Sequence, residues 1–326
     1  MLLTVKVVME RDGLIEQLEM YKQKSVGLAP GLVQFRVKAF HEAGSIWEYE
    51  GSTGRIIPEQ GKELSQGVLE ALDMCGSSEL ESSFSGHRDE KELESSDWKT
   101  WFLEKTSRKY LVPDTNFIYR HYYSNVLARH LGEDFGNLIF RLPRLAILEI
   151  ERRGNNAKEG SADKRLSFYA AREVRLLRSN NNFDLLPNID TLLFSTFSEK
   201  AGRQLVDMWI RKEIHDFVEG MEGYTNMSAK DVVFLTCDLM NALAAESEGL
   251  NTCYFSKKDQ QSFSVDNDNM RQLFDLILAS TMILGKIRVD IVLADDVVHE
   301  SITLEGIWNG KTTSQWYSDC IKATYN

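Results

Sequence analysis

The sequence predicts an α/β protein with a parallel sheet flanked by helices in its central part. From Trp98 onwards, short apolar runs alternate with helix-like segments, which is the order of elements in such a sheet. The buried run DVVFLTCD (231–238) is followed by a helix and by a second β-run, NTCYFS, and this order is that of a βαβ unit. Both observations favour the same fold class.

Composition and periodicity divide the chain into four predicted regions. Residues 1–75 alternate strand-like and helix-like patterns and are expected to form an α+β N-terminal domain. Residues 76–97 are predicted to be a polar linker or mobile loop, because Ser and acidic residues supply 14 of these 22 positions. Residues 98–258 contain the parallel sheet, and residues 259–326 form a small C-terminal region with one helix followed by strands.

Two helices are predicted in the central region from their 3.6-residue periodicity. The helix over 162–178 has an apolar side formed by Leu166, Tyr169, Ala170, Leu176 and Leu177 and a basic side formed by Arg165, Arg172 and Arg175. A second helix, QLVDMWIRKEI (204–214), is expected to be anchored by Leu205, Met208 and Trp209.

The composition is that of an ordinary globular protein, with 326 residues, 43% hydrophobic and 27% charged. A formal charge of −11 argues against nonspecific coating of nucleic acid or of an anionic membrane. The four cysteines form no CxxC pair, the N-terminus does not resemble a signal peptide, and the longest apolar stretch is shorter than a membrane helix. We therefore expect a cytoplasmic protein that has no membrane partner.

Acidic residues stand near the carboxyl ends of the predicted strands, where open parallel sheets bind their ligands. Asp114 ends the strand YLVP, Asp238 follows the strand VVFLT, and Glu149 lies in the helix after the strand LIFRLP. A fourth acid, Asp207, lies on the helix QLVDMWIRKEI. Four carboxylates brought together repel one another unless they bind a divalent cation, and oxygen ligands fit Mg²⁺ or Mn²⁺ best. Such a site suits hydrolysis of a phosphodiester.

Three segments resemble the motifs of the PIN-domain nucleases. PDTNFIY (113–119) resembles the first motif, with Asp114 as its acid and Asn116 as a frequent companion. RLPRLAILEIERR (141–153) resembles the second, in which Pro143 is followed six residues later by Glu149. VVFLTCDLMNALAAESEGLNT (232–252) resembles the third. The resemblance covers roughly Tyr110 to Ser256.

The resemblance implies a three-layer α/β/α domain and a metal-dependent endonuclease that cleaves RNA to a 5′-phosphate and a 3′-hydroxyl. It implies that Asp114, Glu149, Asp207 and Asp238 bind Mg²⁺ or Mn²⁺. Thr236 and Asn116 take the family's positions for residues that place water and ligands, and Asn241 takes the helix-opening position.

Each of these acidic residues also has a structural interpretation. Asp114 precedes a helix and is a good N-cap. Glu149 precedes Ile150 and Glu151 and could belong to a charged helix face in contact with solvent. Glu151 is the alternative metal ligand in this motif. Asp207 is placed to form an i,i+4 pair with Arg211. Thr236 either bonds the backbone or orients a water molecule.

The basic window 141–178 contains ten Lys or Arg and five Asp or Glu, a balance of +5. Arginines in this window are candidates for contacting the backbone of RNA, the substrate that the resemblance implies, and a protein partner or a homo-oligomer are further possibilities. The candidate RNA contacts are Arg144, Arg153, Arg165, Arg172 and Arg211. Arginines that only solvate a helix are the alternative. Two other functions stay open: a catalytically weak RNA-binding or scaffold subunit, and a metal phosphohydrolase acting on DNA or nucleotides.

Overall fold

Two compact units make up the chain in a computed structural model. The structure describes residues 5–9, 34–39, 45–50, 55–58, 66–76, 80–85, 91–178, 182–186, 203–222, 228–257, 263–264, 270–292, 298–306 and 321–325. Unit 1 comprises residues 1–78, 157–172 and 259–326, and unit 2 comprises residues 79–156 and 173–258.

The strands and α-helices are numbered in chain order. The strands are β1 Val5–Met9, β2 Gln34–Ala39, β3 Ser45–Glu50, β4 Arg55–Ile57, β5 Leu80–Phe84, β6 Lys91–Glu92, β7 Tyr110–Pro113, β8 Ile139–Leu142, β9 Phe183–Leu185, β10 Val232–Thr236, β11 Asn251–Lys257, β12 Phe263–Ser264, β13 Lys286–Val292, β14 Val298–Gly306 and β15 Ile321–Tyr325. The helices are α1 Gln66–Met74, α2 Trp98–Thr106, α3 Thr115–Tyr119, α4 Ala128–Leu131, α5 Arg144–Asn156, α6 Ala162–Arg178, α7 Arg203–Glu222, α8 Leu239–Ser247 and α9 Met270–Leu284.

Unit 1 contains an antiparallel sheet of eight strands in the order β1-β15-β14-β13-β2-β3-β4-β12. Strand β2 from the N-terminal region pairs with β13 from the C-terminal region, with Val37 opposite Val289. The two regions predicted to be separate therefore share one sheet. They also share one core, in which Trp47 of β3 and Phe274 of α9 are both buried.

Helix α6 has the predicted bounds of 162–178, but its first part belongs to unit 1. Tyr169 is buried in the core of that unit. The Arg165 guanidinium donates hydrogen bonds from Nε to the carbonyl of Met282 (2.6 Å) and from Nη2 to that of Ile283 (2.8 Å), which satisfies carbonyls at the end of α9. These contacts explain why residues 157–172 do not belong to the predicted 98–258 domain.

Unit 2 is an α/β structure with a mostly parallel sheet of seven strands in the order β6-β5-β11-β10-β7-β8-β9. The pairs from β11 to β9 are parallel, whereas β5 pairs antiparallel with β11 and with β6. All five residues of β10 are buried, as its continuous apolar run predicts for a central strand. The predicted parallel sheet is confirmed.

The segment predicted to be a linker contributes two strands to this sheet, β5 and β6. Leu80, Ser82 and Phe84 face the interior in alternation with half-buried residues. The ring of Phe84 contacts that of Trp101, with 5.1 Å between the centroids. The composition of this segment did not predict the strand, because Ser and acidic residues outnumber the apolar ones. Two large apolar residues, Leu80 and Phe84, are enough to anchor a strand of this length.

Helix α7 is anchored by a different face from the predicted one. Of the predicted anchors, Leu205 and Met208 are 40% and 42% exposed and Trp209 is half-buried, while Val206, Ile210 and Ile214 are buried. The buried residues recur every four positions and so lie on one side of the helix. None of the described helices is long and apolar enough to cross a membrane.

Candidate active site

The order of the strands brings three of the predicted motifs of unit 2 to one edge of its sheet. Strand β7 lies between β10 and β8, and all three are parallel. The chain continues from β7 into Asp114, from β10 towards Asp238, and from β8 into helix α5, which carries Glu149. Since parallel strands end at the same edge, side chains from distant parts of the sequence meet there.

Asp114 is fully buried and accepts hydrogen bonds from its own motif and from the motif that follows β10. Its Oδ1 accepts from the backbone N–H of Phe117 (2.6 Å), which makes Asp114 the N-cap of α3. Its Oδ2 accepts from Thr236 Oγ1 (2.5 Å) and from Asn241 Nδ2 (3.4 Å). Burial raises the pKa of Asp114 to about 7, and the hydrogen bonds from Thr236 and Phe117 only partly oppose this effect.

The hydroxyl of Thr236 links the ends of two strands. It donates to Asp114 and accepts from the backbone N–H of Asp238 (3.0 Å). The carboxylate of Asp238 accepts from the N–H groups of Met240 (2.9 Å) and Asn241 (3.1 Å), and thus caps helix α8. The structural interpretations of Asp114 and Asp238 therefore coexist with their place at the site.

A pocket of about 340 Å³ opens at this edge of the sheet. It is lined by Thr115, Asn116, Arg120, Glu149, Arg153, Asp207, Cys237, Asp238 and Leu239. We call this set the acidic pocket, since three carboxylates outnumber its two guanidinium groups. The predicted residues Asn116, Glu149, Asp207 and Asp238 are thus brought together, whereas the predicted Asp114 and Thr236 are fully buried and do not line the pocket.

Asp207, the fourth predicted acid, lies on helix α7 and lines the acidic pocket. Burial and the charges of Glu149 and Asp238 raise its pKa to about 6. The charges of Arg211 and Arg153 act in the opposite direction. Because the charges of Glu149 and Asp238 raise the pKa of Asp207, the three carboxylates must lie close together.

Glu149 is buried and forms an ion pair with Arg153, one turn further along α5. The guanidinium of Arg153 also lies over the ring of Tyr119, 5.1 Å from its centroid. Within the part of the chain that the structure describes, no three His, Cys, Asp or Glu side chains are arranged so that together they could hold a metal ion. The alternative ligand Glu151 does not line the pocket, and burial raises its pKa.

Two side chains that were not among the predicted ligands, Asn241 and Glu213, fix the geometry of the site. Asn241 accepts from Arg211 Nη1 (2.5 Å) through its Oδ1, and this bond turns its Nδ2 towards Asp114. Glu213 accepts from the backbone N–H groups of Arg144 (2.8 Å) and Leu145 (3.3 Å), so a side chain of α7 caps the first turn of α5. The motif position of Asn241 was a signal for the first contact, whereas the local sequence gives none for the second.

The five candidate RNA-binding arginines differ in their surroundings. Arg153 lines the acidic pocket, and Arg144 is exposed with its Nε donating to the carbonyl of Leu186 (3.1 Å). Arg165 donates to carbonyls in unit 1 as described above. Arg172 and Arg211 are both buried, at 7% exposure, and Arg211 also binds the Glu248 carboxylate (3.0 Å). Burial withdraws these two guanidinium groups from the surface that a phosphate backbone contacts.

The predicted basic side of α6 is wrong at Arg172, which is buried beside Tyr169 with 5.7 Å between its guanidinium carbon and the ring centroid. Arg175 is exposed, as predicted.

No protein-family model matches the chain, and no curated protein is significantly similar to it.

Proposed function

We propose that unit 2 is a three-layer, PIN-like domain that cleaves RNA as a metal-dependent endonuclease. The observation that carries this proposal is the convergence of Glu149, Asp207 and Asp238 on one pocket of about 340 Å³ at the carboxyl edge of a parallel sheet. These three carboxylates come from two helices and a strand end that are far apart in the sequence. A purely structural role for each acid does not require this meeting.

The donor groups of the acidic pocket fit a hard divalent cation such as Mg²⁺ or Mn²⁺. They are carboxylate oxygens, whose mutual repulsion raises the pKa of Asp207 in addition to the effect of burial. Thr115 adds a second feature: its Oγ1 is buried and has no hydrogen-bond partner among the described residues, although Thr115 lines the pocket. A bound ion or its water would satisfy this hydroxyl.

A divalent cation held there would activate water and neutralise charge on the leaving oxygen. Glu149, Asp207 and Asp238 line the pocket and would hold it, and the buried Asp114, which does not line the pocket, is a fourth carboxylate close enough to Asp207 for their charges to interact. Asn116 at the pocket wall would position ligands, while Thr236 keeps Asp114 in place through a hydrogen bond of 2.5 Å.

The positive groups of the pocket support a phosphodiester substrate. Arg120 and Arg153 both line the pocket beside the carboxylates. Guanidinium groups bind phosphate oxygens in a bidentate manner and stabilise negative charge on a transferring phosphoryl group. An acidic pocket with two arginines at its wall can therefore attract a cation and a phosphate at the same time.

One specific observation favours a second candidate function, an RNA-holding subunit with little or no catalytic activity. Glu149 is engaged by Arg153, and no trio of potential ligand side chains within the described ranges is arranged to hold an ion. A pocket that keeps this arrangement permanently would bind nucleic acid through its arginines without cleaving it.

A cleavage panel tests the proposal. The full chain is incubated with Mn²⁺ and with single-stranded RNA, structured RNA, DNA or nucleotides, and the products are resolved on a denaturing gel. We expect cleavage of RNA that is abolished by Asp114→Asn. Asp231→Asn is the matched control, because Asp231 lies at the opposite end of β10, where it forms a capping box with Ser228.

The outcomes separate the candidates. Equal RNA cleavage by the parent and the Asp114→Asn variant would refute the metal mechanism at this site. RNA binding without cleavage would favour the RNA-holding subunit. Cleavage of DNA or nucleotides alone would identify the chain as a different metal phosphohydrolase.

A further inference from the structure

Arg153 contacts one of the carboxylates that the proposed function assigns to the metal. Its guanidinium pairs with Glu149 on the same helix and rests over the ring of Tyr119 at 5.1 Å. Residues four apart lie on the same helical face, so the pair forms without any distortion of α5. The positive charge of Arg153 is therefore paired with Glu149, a carboxylate that a divalent cation would need as a ligand.

The two cations compete because Arg153 already pairs with Oε1 of Glu149, and a divalent ion bound to the same carboxylate would be repelled by the guanidinium charge. The side chain of Glu149 is 9% exposed and lines a pocket of limited volume. There is therefore little room for a guanidinium and a metal ion to bind its carboxylate at the same time. A cation that enters the pocket must displace Arg153 or bind with fewer ligands.

The side chain of Arg153 has both the freedom and the chemistry to move to another acceptor. It is 32% exposed, compared with 9% for that of Glu149, so its guanidinium can leave by rotation of side-chain bonds alone. A phosphodiester offers two acceptor oxygens in an arrangement similar to that of a carboxylate. Arg153 lines the same pocket that a substrate phosphate would enter.

We propose, on the basis of the function proposed above, that Arg153 is an internal cation that holds Glu149 until a phosphodiester binds. The guanidinium of Arg153 then forms hydrogen bonds with the phosphodiester instead of with Glu149. The carboxylate of Glu149 becomes available to bind the divalent ion. Substrate and metal then bind cooperatively, and the ion is bound weakly when no phosphate is present. Because coupling between two ligands is reciprocal, the metal strengthens phosphodiester binding by the same factor.

The coupling is measured with Mn²⁺ as the metal and dimethyl phosphate as the phosphodiester probe. Mn²⁺ binding to the full chain is followed by the electron paramagnetic resonance signal of the free ion, with and without dimethyl phosphate. Arg153→Gln removes the internal cation, and we expect it to tighten Mn²⁺ binding on the order of tenfold, the scale of one charge-assisted hydrogen bond. In the parent, dimethyl phosphate should tighten Mn²⁺ binding, and in Arg153→Gln this effect should disappear.

Arg152→Gln is the matched control, since it removes the same charge from the neighbouring position of α5 and Arg152 does not line the pocket. It should leave both the Mn²⁺ affinity and the effect of dimethyl phosphate close to those of the parent. Circular dichroism verifies that both variants keep the helical content of the parent.

Each result decides something. If Arg153→Gln binds Mn²⁺ as tightly as the parent or more weakly, Arg153 is not an internal cation. The proposed function as a metal-dependent nuclease is not affected by that result. Tighter binding by both variants also overturns it, because the effect would then be one of overall charge. If neither the parent nor any variant binds Mn²⁺, both this inference and the proposed metal-dependent function fail.

Discussion

Glu213 offers a test of how the two helices that carry Glu149 and Asp207 are held together. Its carboxylate is 1% exposed and accepts hydrogen bonds from the first N–H groups of α5, at 2.8 Å and 3.3 Å. Burial raises its pKa from an ordinary 4.5 to about 7, and the hydrogen bonds from Arg144 and Leu145 oppose this only in part. The folded chain therefore binds a proton at Glu213 in a pH range where the unfolded chain has lost it.

The sign and size of the effect on stability follow from this difference in proton binding. Stability from this group is fully present below about pH 4.5 and is lost as the pH rises through about 7. The total is roughly 3 kcal/mol, of which roughly 2.5 kcal/mol is lost between about pH 5 and about pH 8. Glu213→Gln keeps an acceptor for the backbone N–H groups and cannot ionise.

We expect Glu213→Gln to match the parent in free energy of unfolding near pH 5, within about 1 kcal/mol, which is the worth of a helix cap. Near pH 8 the variant should be the more stable of the two by roughly 2 kcal/mol. Urea denaturation followed by far-UV circular dichroism measures both values. Glu219→Gln is the control, because Glu219 is an exposed carboxyl on the same helix and its replacement should have little effect at either pH.

A constant difference between Glu213→Gln and the parent at the two pH values would refute the reasoning. It would mean that Glu213 ionises in the folded chain as readily as in the unfolded one. The carboxylate would then act as an ordinary charged helix cap, and the desolvation argument would be wrong for this contact.

Three further predictions concern other parts of the structure. Asp114→Asn should keep or raise the thermal midpoint near pH 8, because the buried carboxyl has a pKa of about 7 and its neutral substitute need not ionise; a clear fall in the midpoint would count against this. Thr236→Val removes the hydroxyl that donates to Asp114 and should lower the free energy of unfolding by about 2 kcal/mol, measured by urea denaturation; an unchanged value would mean that the hydrogen bond contributes nothing net. Gly285→Ala places a methyl group 3.0 Å from Arg165 Cζ at a φ of +83° and should cost about 2 kcal/mol, and Gly160→Ala, at a φ of +75° with open space around it, should cost less in the same assay.

Elements with local signals could be predicted from the order of the amino acids alone. The periodicity of 162–178 predicted α6 with its observed bounds, and the apolar run of β10 predicted a central strand. The acids that follow β7 and β10 could be found because strand ends are recognisable and ligands gather at the carboxyl edge of parallel sheets. Short-range patterns carry this information, since backbone geometry repeats over a few residues.

Other features could not be predicted in this way, because they depend on contacts between distant segments of the folded chain. The pairing of β2 with β13 joins residues more than two hundred positions apart, and no pattern within either strand specifies its partner. The same holds for Glu213 at the start of α5 and for the burial of Arg172 and Arg211. Even the pair of Glu149 and Arg153, which helical spacing permits, acquires its meaning only from the pocket around it. Burial and electrostatic environment are properties of the assembled fold, so they decide which charged groups are available for chemistry.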